Sequence, residues 1–160
     1  MLFRSMAISL FLVSGYATAS GIQDDFRLVQ HFFPQADRVG DLEGEPRSAV
    51  VYKDQYIIGY VFYTDDISKI PAYSGKPIRT LVGFDINGKI VGLKIVHHEE
   101  PILVVGISDA DLQDFIDQYL GKSVNDKIKI GGSNRDGYKS IDAITGATIT
   151  VMVLNATINQ

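Results

Sequence analysis

The chain contains no cysteine among its 160 residues. That excludes a disulfide framework, a thiolate zinc site, a cysteine-ligated iron–sulfur centre and a thiol nucleophile within these residues. It has no surplus of positive charge either: 15 Lys and Arg stand against 19 Asp and Glu, a net charge of −4. With no arginine-rich stretch, no nucleic-acid partner is expected. After residue 20 no apolar run approaches the roughly 18 residues that a spanning helix needs. The GxSxG, HExxH and EF-hand patterns are missing. No nucleophile–base–orienter set can be assembled, which sets a hydrolase aside. There is no internal repeat and no low-complexity tract.

What is present is a normal globular balance, 46% apolar and 21% charged, enough for a real core. The length suits one domain. The first residues, MLFRSMAISLFLVSGYATAS, carry one basic residue, Arg4, then an apolar stretch from Met6 to Val13. They close on Ala17-Thr18-Ala19, a small-x-small cleavage signal. This reads as a secretory signal peptide over residues 1–19, cut after Ala19. An uncleaved anchor is the competing reading, and the short apolar run weighs against it. Either way the domain is exported.

Ile22 to Phe33 places Ile22, Phe26, Val29, Phe32 and Phe33 at helical spacing, and Pro34 stops the run. Residues 35–47 are charged and glycine-bearing, a loop. Residues 49–52 and 56–63 read as a first hairpin, and 78–84 and 89–97 as a second. Asn87-Gly88 between the latter two is a strong turn signal. Asp109 to Leu120 is a helix with Ser108 as N-cap and Gly121 as its stop. Lys127 to Ile130 is a short strand, residues 131–139 a polar loop, and Thr145 to Ile158 a last, apolar helix. This order predicts a single α+β domain with a mostly antiparallel sheet flanked by helices. The expected division is signal peptide 1–19, N-terminal helix and loop 20–44, and main domain 45–160.

Four stretches could carry chemistry. DAITGATIT, residues 142–150, sets a glycine before a helix. Glycine allows a sharp turn and close approach of the backbone to a ligand. The first helical amides lack intrahelical partners, and the dipole adds partial positive charge, so a phosphate fits there. Threonine hydroxyls can cap those amides, bind a phosphate oxygen or bond to phosphorus. On spacing alone, a threonine-capped helix start is the simpler reading. HHEEP, residues 97–101, ends a strand; its adjacent histidines face opposite ways and make a poor metal pair. His98 and Glu100 could face one way, and His97 and Glu99 the other. AYSGKPI, residues 72–78, offers Tyr73 for stacking on a planar ligand and Lys76 for an anion. GGSNRDGY, residues 131–138, has glycines but no Walker spacing. Each of these has a plain alternative as a turn or solvated loop.

Together they resemble one family. DAITGAT, residues 142–148, is similar to the Dxx[S/T]GAT motif of FMN-binding domains flavinylated on threonine, as in the NqrC and RnfG components of sodium-pumping and related redox complexes. The same domains form the periplasmic N-terminal part of the NosR/NirI regulators of nitrous oxide and nitrite respiration. YSGKPIRTLVGFDINGKIVGLKIVHHEEPILVVGI, residues 73–107, resembles that second branch, most tellingly in HHEEPI with its following VGI. The resemblance covers about residues 45–158.

The resemblance implies covalent FMN, transferred from FAD by a metal-dependent periplasmic flavin transferase onto Thr148 as a phosphoester. Asp142 would be the motif's acidic position, and Thr145, Gly146 and Ala147 the turn presenting the acceptor. Tyr73, His97 and His98 would contact the ring, with Lys76 adding charge. A flavin bond through His31, His97 or His98 is formally open, but nothing in their setting favours it. The implied role is an electron-transfer domain rather than a stand-alone enzyme. It would work with a redox partner in the inner membrane or periplasm, such as a nitrous oxide reductase maturation system. The competing role is a non-redox sensory or partner-docking periplasmic module on the same fold. Full-length regulators of this kind continue into membrane helices and cysteine-ligated clusters. This chain has neither, which favours an N-terminal fragment over a short homologue; as a fragment it would be membrane-tethered.

Overall fold

The computed structural model describes residues 21–101, 106–133 and 137–159. The proposed signal peptide lies outside them. The elements run α1 (Phe26–Phe32), β1 (Arg38–Val39), β2 (Ala49–Lys53), β3 (Tyr56–Tyr63), α2 (Thr64–Ile67), β4 (Arg79–Asp85), β5 (Ile90–His97), α3 (Asp109–Asp117), β6 (Lys127–Ile130), β7 (Tyr138–Ile141) and α4 (Thr148–Ile158). Strands β1 to β5 form one antiparallel meander in chain order, and β6 and β7 a separate parallel pair. This is the α+β domain with a mostly antiparallel sheet that the sequence predicts. Among the described residues no helix is long and apolar enough to cross a membrane.

Strand alternation explains why the sheet is covered on both faces. Leu81 points into a cluster with Val29, Phe32, Val51, Val61 and Tyr63 beneath α1. Its neighbour Val82 points the other way, into the larger core with Leu93, Leu112, Phe115, Tyr119, Val151 and Leu154 beneath α3 and α4. Both hairpins form as expected. At the second, Asp85 Oδ1 accepts the Asn87 and Lys89 amides at 2.8 and 2.9 Å. Helix α3 starts on Ser108 with a reciprocal capping box to Asp111.

Two differences from the sequence expectation concern strand pairing, and one concerns a helix start. Residues 138–141 pair with β6 as β7, taking the last two residues of the expected loop 131–139, because the partner is recruited across a connection and not from the adjacent chain. Arg38 and Val39 add a short edge strand inside the expected loop 35–47. Helix α4 begins at Thr148, three residues later than expected, because Gly146 takes a left-handed φ of +87° and keeps the turn open until Ala147.

The α1 face explains the glycines in β3 and β5, which otherwise weaken a strand. A Cβ on Gly92 would lie 2.0 Å from Phe32 Cγ, and one on Gly59 would lie 2.4 Å from Phe33 Cε1. The two rings rest directly on backbone. Gly92→Ala is therefore expected to lift α1 from the sheet and lower stability by about 1–3 kcal/mol. Urea unfolding followed by circular dichroism measures it; an unchanged midpoint contradicts this packing.

Candidate functional site

A cavity of about 230 Å³ opens where the loop after α2, the segment leaving β5 and the start of α4 meet. Its walls are Tyr73, Glu100, Pro101, Ile107 and residues 146–150. Four of these, Pro101, Ile107, Ala147 and Ile149, present apolar side chains, and Tyr73 adds an exposed ring.

The α4 terminus forms one side. The first i→i−4 bond runs from the Val151 amide to the Ala147 carbonyl at 2.9 Å. The amides of Thr148, Ile149 and Thr150 precede it and have no intrahelical acceptor. The N-cap is Ala147, which supplies no side-chain cap, and the first turn carries no acidic residue. The threonine cap that spacing alone favours is thus not made. Thr148 is the first helical residue, and its side chain is exposed on the cavity rim. Above it Ala147 is buried, while Ile149 and Met152 face outward.

Glu100 forms the opposite side and was not singled out from the sequence. It is 7% exposed. Its Oε1 accepts the Ser74 amide at 2.8 Å, and its Oε2 accepts the Tyr73 amide at 3.2 Å and the Thr150 hydroxyl. Burial pushes its carboxyl up, and the donors from Thr150, Ser74 and Tyr73 more than offset that, leaving it below the ordinary carboxylate range. Thr150, without a role in the sequence reading, is the buried partner that closes this link.

The residues expected at the site separate into two groups. Tyr73, Gly146, Ala147 and Thr148 come together in the cavity wall. Thr145 sits in the turn before Gly146, away from the wall. Asp142 also lies off the wall; its backbone amide and carbonyl are held by the Gln118 side chain at 2.7 and 3.1 Å. Lys76 is drawn outward by Glu99, with Nζ 2.6 Å from the carboxylate. His97 is exposed, 3.8 Å from the same carboxylate. His98 leans over a separate depression between β5 and α3, its Nε2 3.1 Å from Asp109 Oδ1 and its Nδ1 accepting the Glu100 amide at 3.1 Å. The structure therefore does not bring Lys76 or either histidine to the cavity wall. Strand alternation ends at His97, so the two histidines are placed by their own partners.

All nine wall residues fall inside one stretch, 73–160, and that stretch matches the FMN-binding domain family. The chain belongs to that family. It is 36% identical over 147 residues to the regulatory protein NosR of Pseudomonas aeruginosa, covering 91% of this chain and 21% of that protein. It is 30% identical over 104 residues to the protein NirI of Paracoccus denitrificans, covering 65% of this chain and 14% of NirI. A component of the Na(+)-translocating ferredoxin:NAD(+) oxidoreductase complex of Acetobacterium woodii is 29% identical over 105 residues, 65% of this chain and 47% of that component. The chain spans about a fifth of the length of the NosR proteins it matches. Its relatives thus include both branches that the sequence resembles. The flavin domain of this family binds FMN, and the match begins at Tyr73 and runs through α4.

The cavity's chemistry suits such a group. An uncapped helix terminus with no acidic residue of its own in the first turn favours a phosphate group, with the Glu100 carboxylate on Thr150 as one opposing charge. Apolar walls beside an exposed tyrosine ring favour a flat aromatic body. At about 230 Å³ the cavity is smaller than the roughly 300–1,000 Å³ of a site that encloses its ligand. It would hold part of an FMN and leave the remainder at the surface.

Proposed function

We propose that this chain is the FMN-carrying, electron-transfer domain of a NosR/NirI-like protein, with FMN joined to Thr148 by a phosphoester. The observation that carries the reading is the position of Thr148. It is an exposed hydroxyl on the first residue of α4, on the rim of the cavity, beside amides that no side chain caps. The Thr148 hydroxyl would form its ester to the FMN phosphorus as the pyrophosphate bond of FAD breaks, AMP leaves and the hydroxyl proton is released. A flavin transferase supplies that step. The α4 amides and dipole would then hold the phosphate charge, and Tyr73, Pro101, Ile107 and Ile149 would flank the rest. Bound there, FMN supplies the electron transfer, while the chain contributes position, charge and shape.

An exported domain cannot draw on the cytoplasmic cofactor pool, and a covalent bond keeps the cofactor from diffusing away. This fits the signal-peptide reading and a periplasmic location, with membrane tethering in a longer protein. The domain would pass electrons to or from a redox partner in the inner membrane or periplasm. By analogy with NosR, it would support nitrous oxide reductase expression or activity. The exposed Ile149 and Met152, flanking the acceptor on α4, favour partner docking as a second reading. In that case partner function would survive loss of the flavin.

The test is co-expression with a flavin transferase, followed by peptide mass analysis. A phosphoester-linked FMN adduct is expected on the peptide containing residues 142–148. An unmodified peptide, while the same transferase loads a control acceptor, overturns the reading.

A further inference from the structure

Among the described residues, the partners of the buried Glu100 carboxylate are neutral dipoles, including the Tyr73 and Ser74 amides and the Thr150 hydroxyl. No salt bridge among the described residues involves it. Burying a charge without a counter-ion is costly, and here hydrogen-bond donors alone offset that cost. Its location gives the charge a use. Glu100 lies in the cavity wall that Thr148 shares, and it joins the two sides of that cavity. One oxygen reaches the loop at Ser74, while the other receives both Tyr73 from the loop and Thr150 from the first turn of α4.

We infer that Glu100 is the positioning residue of the flavin cavity: it ties the Tyr73 loop to the start of α4, and its fixed negative charge lowers the potential of a flavin held there. The inference rests on the reading that FMN occupies this cavity. Adding electrons to a flavin raises its electron density. A carboxylate in the same low-dielectric wall opposes that charge far more than it would in water. The two roles have separate signatures: the flavin potential reports the charge, and amide exchange reports the tie. Glu100→Gln keeps the shape but removes the charge and one of the two acceptor oxygens, so it touches both roles. Thr150→Val keeps the charge and removes one donor.

The experiment uses the FMN-loaded chain, titrated with dithionite against reference dyes. Glu100→Gln is expected to shift the flavin midpoint potential upward. Thr150→Val, which leaves the carboxylate less well solvated, is expected to shift it downward or not at all. A Glu100→Gln potential equal to wild type, or equal upward shifts in both variants, overturns the electrostatic role. Amide hydrogen exchange on the apo chain tests the tie independently of loading. Exchange at Tyr73 and Ser74 is expected to speed up tenfold or more in Glu100→Gln and in Thr150→Val, relative to amides in β4. Unchanged rates in both variants overturn it. If wild type carries no adduct at Thr148, the flavin reading fails, and the exchange result still decides whether Glu100 holds the loop.

Discussion

A Thr148→Ala chain co-expressed with a flavin transferase is expected to emerge with no FMN adduct at all, while Thr148→Ser keeps it. The three threonines of DAITGATIT look alike in sequence but differ in the fold. Thr150 is 4% exposed and engaged with Glu100, so its hydroxyl is unavailable. Thr145 is exposed, but it precedes Gly146 and lies off the cavity wall. Thr148 alone of the three combines an exposed hydroxyl with a place on the rim at the helix terminus. Intact mass measures the result. An adduct that persists in Thr148→Ala, or one that disappears in Thr145→Ala alone, contradicts the assignment of the acceptor.

The second large effect is on stability. Phe115→Ala is expected to cost about 3–5 kcal/mol, a sizeable share of the roughly 5–15 kcal/mol that holds a domain folded. Phe115 is 1% exposed, and its ring packs edge-on to Tyr119 with centroids 6.1 Å apart. Tyr119 in turn donates to Asn155 Oδ1 at 2.6 Å, linking the turn after α3 to α4. The cavity left by Phe115 therefore opens at the seam that supports the acceptor helix. Urea unfolding should show a lower midpoint with an unchanged slope. A loss under about 1 kcal/mol would mean that the seam collapses to fill the space.

The hairpins, α3 and the general position of α4 were legible because their signals are local: Asn87-Gly88 at a turn, Ser108 at a cap, alternating apolar residues in strands. Strand β7 was not, because YKSI is short and its pairing with β6 is parallel and spans a connection. The start of α4 was misplaced by three residues because threonines that suit a cap stand where the backbone still turns. At the site, Tyr73 and the GAT segment were legible through their resemblance to a motif. Glu100 was not, since a glutamate in a polar run gives no local sign of burial. Its importance comes from three donors that the fold delivers from residues 26, 27 and 50 positions away. The histidines drew attention as versatile side chains, yet their partners are Glu99, Asp109 and the Glu100 amide.

The rings of Phe32 and Phe33 seated on bare strand backbone bear on where this unit can be cut. The family match starts at Tyr73, and a fragment begun there would discard α1 together with β1, β2 and β3. Strand β4 would become a naked edge, and Gly83 and Gly92 would face water across the gap the rings once filled. The portion recognised as the flavin domain is thus shorter than the packed unit it belongs to. The segment that carries no flavin chemistry is part of the scaffold that keeps the flavin end in shape.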